Sequence, residues 1–524
     1  MKIVFVLLSI LLFNVPSNSQ ISQQWLARYS VGPYSNVSAI GTDVNGNVFI
    51  TGWSGNDGLT VKYNSSGAQQ WAMIYNGPPA LGDYLKALAI DASGNVFVTG
   101  YSNGGFPTPN DDYITIKYNS AGVQQWTARY NGIGNDRDNA FAICLDATGN
   151  SYVTGWSYTT TATGSTDYAT VKYNSSGVQQ WAVRYNGPGN NSDYANAICS
   201  DNNGYVYVTG GSYSSSSFNS NDYATVKYNS SGVQQWVARY NGPFNSGDDA
   251  VAIAVDNSYN VYVTGNSANV GSGSVATIKY NSLGQLLWVQ RFDSSYAIGM
   301  KVDNSGNVYV EANKNDSYAT IKYNTSGTQQ WVRYYTGPVP YSRPNAIEID
   351  AAGSVYVTGV SGVDYATIKY NTNGVQQWLM QYHEPRINMT AIAQGIALDS
   401  SSNVIVTGVS SQEALTDIGT VKYSQITGVT PASNEIPKQF SLSQNFPNPF
   451  NPSTNISYQL PDPEFISLKV YDNLGNEVIT LVNEKQNAGS YSVNFNAASL
   501  PGGIYFYKLV TENFSETKKM VLIK

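Results

Sequence analysis

The chain is poor in the side chains that carry most enzymatic chemistry: its 524 residues include one histidine and two cysteines. A single histidine excludes a zinc site built on several imidazoles. His383, in Tyr382-His383-Glu384, has no Gly-x-Ser-x-Gly or His-Glu-x-x-His motif to act with, so it reads as a loop residue. Cys144 and Cys199 each stand two residues before an aspartate, where other copies of the same pattern carry Gly41, Ala89, Ala254 and Ala397. They read as small buried side chains, with a disulfide between neighbouring repeats as the lesser alternative; no Cys-x-x-Cys metal spacing occurs. Charge is also scarce. With 12% charged residues and a net charge of −7, no basic face exists to neutralise phosphates, which excludes nucleic acid and disfavours anionic membranes as partners. The one long apolar run, Ile3 to Phe13, is too short to remain in a bilayer. Together with Lys2 and the small-residue site Ser17-Asn18-Ser19 it reads as a cleaved secretory signal over residues 1–19, and no transmembrane anchor follows.

Glycine (48) and tyrosine (41) are abundant instead, and this composition suits all-β structure. The sequence repeats. A Thr-Val/Ile-Lys-Tyr element places its lysine at 62, 117, 172, 227, 279, 322, 369 and 422, at intervals from 43 residues (279 to 322) to 55 (62 to 117). A Val-Thr-Gly element ends at Gly52, Gly100, Gly155, Gly210, Gly265, Gly359 and Gly408, and is degraded once to Val310-Glu311-Ala312. A Gln-Gln-Trp type of strand recurs with Trp25, Trp71, Trp126, Trp181, Trp236, Trp288, Trp331 and Trp378. Each unit therefore reads as four antiparallel strands with tight turns after the first and third, as in Asp91-Ala92-Ser93-Gly94-Asn95 and Asn229-Ser230-Ser231-Gly232.

The first strand has small residues on one face (Ala39, Ala87, Ala142, Ala197, Ala252, Gly299, Ala346, Gly395) and aliphatic ones on the other, so it is expected innermost, where sheets crowd around an axis. The array opens with a lone fourth strand, Gln23 to Tyr29, and closes with a lone third strand, Gly419 to Tyr423. Pairing the two predicts an eight-bladed β-propeller over residues 20–427 with velcro closure, or seven blades should one unit fail to form. These units resemble the bacterial β-propeller repeat family, whose Asp-x-x-Gly-Asn-Val-Tyr-Val-Thr-Gly pattern matches Asp91 to Gly100 closely; the resemblance implies the fold and little chemistry.

Residues 428–438 read as a polar linker, and 439–524 as a separate small β-sandwich of immunoglobulin-like type. Asn445-Phe446-Pro447-Asn448-Pro449-Phe450, Val470-Tyr471-Asp472-Asn473-Leu474-Gly475, Gly503-Ile504-Tyr505 and the basic, apolar end Lys518 to Lys524 resemble the C-terminal sorting domain of the type IX secretion system. The resemblance implies sorting residues at Asn445, Pro447, Asn448, Pro449, Phe450, Gly475, Gly503 and Tyr505. It further implies secretion machinery as a partner, export across the outer membrane of a Bacteroidota-like bacterium, removal of the domain, and a secreted or surface-attached product.

Two candidate sites lie where the long, variable loops gather, at the end opposite the tight turns. Trp53, Tyr101 and Trp156 follow the Val-Thr-Gly glycine, where they would either pack under their loops or stack a sugar ring. Asp83, Asp138, Asp193 and Asp248 enter four consecutive innermost strands, where they would either cap their own loops or line one mouth of the channel as calcium ligands; no other cofactor is indicated. The expected function is a monomeric, non-enzymatic binding or adhesion module for a glycan or protein. The alternatives are a calcium-dependent polysaccharide hydrolase or lyase using those carboxylates, and a purely structural surface protein.

Overall fold

Segments such as Val206-Tyr207-Val208-Thr209 extend because β-branched and aromatic side chains pack well on a pleated surface, and glycine-bearing turns reverse the chain between them. The computed structural model describes residues 21–30, 34–78, 81–104, 110–159, 164–215, 221–269, 272–338, 341–384, 390–412, 415–425, 429–433, 437–486, 488–497 and 500–523. The expected signal segment lies outside them. The described residues contain strands and turns and no α-helix, hence no helix long and apolar enough to cross a membrane. They divide into a unit of Gln23–Ser424 and a unit that holds Gln425–Lys524.

The larger unit contains eight four-stranded sheets among its described residues. In chain order these are the first (35–75), second (83–130), third (138–185), fourth (193–240), fifth (248–293), sixth (296–335), seventh (342–382) and eighth sheets (390–425 with 21–29). The fourth illustrates the plan: Asp193–Ser200, Val206–Tyr213, Asn221–Tyr228 and Gln234–Tyr240 pair in that order. The first strand of each sheet lies against that of the next, and Thr390–Leu398 returns to lie against Ser35–Thr42, so the sheets close in a ring. The eighth sheet is built from both ends of the repeat array. Ile21–Tyr29 pairs with Leu415–Gln425, which continues to Val404–Gln412 and Thr390–Leu398.

Neighbouring sheets are locked by the repeated residues. Trp236 Nε1 donates to Ser282 O (3.1 Å) and Lys227 Nζ to the same carbonyl (3.4 Å), in the hairpin turn of the next sheet. Gly284 in that turn has φ +78°, and a Cβ there would stand 2.7 Å from Trp236 Cδ2, so the indole can seat only on glycine. Tyr223 crosses the same boundary and donates its hydroxyl to Ala276 O (3.3 Å). A register slip on each innermost strand, as between Ala195 and Ala197, leaves one residue unpaired. Bulges of this kind re-aim a side chain. Asn196 uses the freedom to reach Ala250 O of the next sheet (2.9 Å).

In the C-terminal unit, Val429–Ser433, Gly489–Asn496, Ser453–Leu460 and Ser441–Leu442 form one sheet; Glu477–Gln486, Glu464–Tyr471, Gly503–Val510 and Ser515–Leu522 form the other. Ile456, Tyr458, Val493 and Phe495 from the first share a core with Leu468, Val470, Tyr507 and Leu509 from the second. Residues 429–433, expected within the linker, instead add a strand because the edge of Gly489–Asn496 is open to pairing there.

Candidate functional site

The end of the ring where the first strands begin and the second strands finish carries both predicted sets of residues. Strand register places Trp53 opposite Asn36, Tyr101 opposite Tyr84 and Trp156 opposite Asn139. Trp53 and Tyr101 meet through Tyr84, whose ring centroid lies 5.6 Å from that of Trp53 and 5.2 Å from that of Tyr101. Trp156 belongs to a different cluster, with Phe141 (6.5 Å) and Tyr158 (5.7 Å).

Lys86, two residues beyond Tyr84, occupies the bulge of the second sheet. Its ammonium lies 5.4 Å from the Tyr101 centroid and 6.0 Å from that of Tyr84, and burial lowers its pKa. It has no hydrogen-bond or ion-pair partner among the described residues. A half-buried ammonium held by aromatic faces is short of acceptors, and a ligand oxygen would supply one. Tyr84 and Lys86 are absent from the residues expected from sequence. The signal that reveals them is strand register: the position of Tyr84 carries Asn36, Asn139 and Tyr194 in other sheets, and that of Lys86 carries Phe141 and Asn196.

The four aspartates lie separately, each serving its own loop. Their exposures are 1% or less. Asp83, Asp138, Asp193 and Asp248 accept the backbone N–H of Gly77 (2.7 Å), Gly132 (2.5 Å), Gly187 (2.6 Å) and Gly242 (2.6 Å), six residues upstream in each case. Burial pushes Asp138 and Asp193 up to about 6, against the opposing hydrogen bonds from those glycines and from Ser157 and Ser212; Asp248 is raised for the same reason. Among the described residues no three acidic, histidine or cysteine side chains converge as a metal site requires. Each of the four thus gives one carboxylate oxygen to a backbone N–H of its own loop. Arg129, Arg184 and Arg239 complete the rim by bridging Asp112, Asp167 and Asp222 to Ser102, Ser157 and Ser212.

His383 is exposed and its Nδ1 lies 2.7 Å from Asp364 Oδ1, in the loop where it was expected. Cys144 and Cys199 are free thiols; burial pushes the first up to about 12 and the second well above its ordinary value, which makes both inert at neutral pH.

The residues picked out as sorting motifs hold the C-terminal sandwich together. Asn445 is buried, its backbone N–H donates to the Tyr507 hydroxyl (2.7 Å), and its side chain donates to Thr454 (3.0 Å) and Pro447 O (3.1 Å). Asn448 Oδ1 accepts Val521 N–H (2.9 Å), and buried Phe450 exchanges backbone bonds with Val521 and Ile523. Pro449 links Asn448 to Phe450, Gly475 turns the chain at φ +85°, Gly503 opens a strand, and Tyr505 donates to Pro501 O (2.8 Å).

Residues 444–524 match the family described as secretion system C-terminal sorting domain, and residues 80–107 match the beta-propeller repeat. A sorting tail of this type implies export to the cell surface or beyond. No match is found among curated proteins. Among solved structures the chain is similar to the Dos1 propeller, at 10% identity over 77% of this chain and 95% of that one, with a TM-score of 0.49. It is also similar to PorZ, a surface component of the type-IX secretion system of Porphyromonas gingivalis, at 12% identity over 93% and 70% of the two chains and a TM-score of 0.39. A fungal alcohol oxidase of the AA5 family follows, at 14% identity over 83% and 96%, with a TM-score of 0.36.

Proposed function

We propose that this protein, delivered by its sorting domain, is an eight-bladed β-propeller with velcro closure that binds a glycan on its loop-bearing face, followed by an immunoglobulin-like sandwich that serves export. The cyclic order of strand contacts supports the blade count, and the sheet built from both ends of the array supports the closure. Removal of a secretory signal at residues 1–19 and monomeric behaviour belong to the same reading.

The observation that carries the binding role is Lys86. Its unpartnered ammonium sits between Tyr84 and Tyr101, with Trp53 closing the cluster. Aromatic faces accept the apolar face of a pyranose, while the ammonium donates to its oxygens. Trp156, with Phe141 and Tyr158, offers a second stacking surface of the same kind on the third sheet. We read Asp83, Asp138, Asp193 and Asp248 as loop caps, with one carboxylate oxygen of each held by a backbone N–H.

The test is a glycan array probed with the full exported chain and with Tyr84→Ala and Lys86→Met variants. Each variant is expected to lose about tenfold in affinity for whichever glycan the parent binds, since one stacked ring or one charge-assisted bond accounts for roughly that much. Binding that survives both substitutions unchanged would refute the assignment of the cluster.

A further inference from the structure

The sixth sheet joins its second and third strands, Val308–Asn313 and Tyr318–Tyr323, through the four residues Lys314-Asn315-Asp316-Ser317. Lys314 and Ser317 exchange backbone hydrogen bonds (2.9 and 3.1 Å), and Asn315 and Asp316 both take positive φ, at 52° and 55°. This is the geometry of a two-residue hairpin with both central residues left-handed. Beside this turn, at the loop-bearing end, lies a groove of about 550 Å³ lined by the sixth and seventh sheets and by Gly273 of the fifth.

The groove has one aromatic wall and one cationic wall. Tyr296 is 60% exposed, and its ring edge is backed by Gly273, where a Cβ would stand 2.9 Å from Cε1; no larger residue could support the ring so closely. Opposite, Arg343 donates Nε to Asp316 Oδ1 (2.9 Å), and its guanidinium lies 4.6 Å from the centroid of the Tyr341 ring. Its two terminal nitrogens have no partner among the described residues. Tyr341 holds that position at φ +100°, a backbone conformation costly for a side chain other than glycine and characteristic of sites that pre-organise a ligand contact. The side chain of Asn315 is unpaired among the described residues, and Asn345 uses its Nδ2 on Ala393 O (2.7 Å), which leaves its oxygen as an acceptor.

We propose that this groove binds a carboxylated pyranose, the uronic-acid unit of an acidic polysaccharide. The inference rests on the reading of the loop-bearing face as a glycan surface and adds to it a location and a chemical class. Tyr296 provides the flat apolar face for the sugar ring. The two parallel N–H donors of Arg343, held by Asp316 and Tyr341, fit a planar carboxylate in the bidentate manner of arginine. Asn315 and Asn345 supply amide partners for ring hydroxyls. A sulfate or phosphate group fits less well, because Asp316 offsets the one guanidinium and no second unpaired cation lines the groove among the described residues.

The experiment is calorimetric titration of the full chain at low salt with trigalacturonate and with its methyl ester, using the parent and the Arg343→Met and Tyr296→Ala variants. Both side chains are exposed, so an unchanged melting temperature will establish that the variants are folded. The acid is expected to bind the parent about tenfold more tightly than the ester, Arg343→Met should abolish that discrimination, and Tyr296→Ala should weaken both about tenfold. Equal binding of acid and ester by the parent, or discrimination that persists in Arg343→Met, would overturn the proposal. A neutral saccharide bound at Tyr84 with trigalacturonate ignored would overturn this inference alone; no saccharide bound by the parent would remove both it and the broader reading.

Discussion

At residue 311 a carboxyl group stands where seven other sheets place a threonine. Those threonines pair across to a second hydroxyl, as Thr209 does with Thr225 (2.9 Å) and Thr358 with Thr367 (2.9 Å), so each buried hydroxyl is satisfied at no electrostatic cost. Glu311 accepts from Thr320 Oγ1 (2.6 Å) through one oxygen only, is fully buried, and has its pKa pushed up to about 8 by that burial. The folded state therefore keeps a proton that the unfolded chain releases near the ordinary glutamate value. Stability from this group is complete below the unfolded pKa and is lost as pH rises toward 8. Glu311→Thr restores the hydroxyl pair and should be about as stable as the parent at pH 4 but more stable by roughly 4 kcal/mol at pH 8. Urea titrations at the two pH values check this; a stability difference that does not change with pH would contradict the ionisation account. The substitution at 311 is visible in the sequence as a broken Val-Thr-Gly. Its electrostatic consequence is not, because it depends on the third-strand residue facing it.

At the scale of the strand and its turn, the boundary between sheets depends on a ring seated on a left-handed glycine. Trp181 over Gly232, Trp236 over Gly284 and Trp288 over Gly327 repeat one geometry, each glycine at φ near +80°. Gly284→Ala would both force an L residue into that conformation and drive its Cβ onto Trp236, so a loss of about 1 to 3 kcal/mol is expected, with the 3.1 Å Trp236–Ser282 bond broken. Thermal melting with indole fluorescence should register both effects; a melting temperature within about 1 °C of the parent would refute the lock. Such elements are legible in the sequence, because Trp and Lys recur in all eight copies and the turn glycine recurs in phase in seven, the eighth sheet taking its fourth strand from the other end of the array. The aromatic cluster is half legible: Trp53 and Tyr101 follow a recurring glycine, whereas Tyr84 and Lys86 sit at positions whose identity changes from copy to copy. The spacing of the four aspartates is legible, and so is capping of their own loops as one reading of it; the particular partner, the glycine six residues upstream of each, Gly77, Gly132, Gly187 and Gly242, is not. The groove beside Tyr296 is not legible at all, since residues far apart in sequence line it: Tyr296 and Asn315 from the sixth sheet, Arg343 and Asn345 from the seventh, and Gly273 from the fifth.

For the ring as a whole, the decisive element is Ile21–Tyr29, the strand farthest in sequence from its partner Leu415–Gln425. It brings Trp25, whose Nε1 donates to Ser65 O (3.0 Å), and Arg28, whose guanidinium pairs with Glu384 at 2.6 Å and bonds the Tyr382 hydroxyl at 2.7 Å. The Glu384 carboxylate is fully enclosed beside the seventh sheet. Removing residues 21–29 would expose the edge of Leu415–Gln425 and leave that buried carboxylate without its cation, a loss that typically exceeds the net worth of the pair itself. Arg28→Met alone isolates the second effect and should destabilise by about 3 kcal/mol. The deletion should lower the melting temperature well beyond that single change, and a synthetic peptide spanning 21–29 should restore part of the loss by adding the missing strand, because everything else in the eighth sheet remains covalently in place. A deletion that melts with the parent would mean that the seven other sheets hold their geometry without closure. A deletion no worse than Arg28→Met would mean that the ion pair, and not the strand pairing, is what the N-terminal segment contributes.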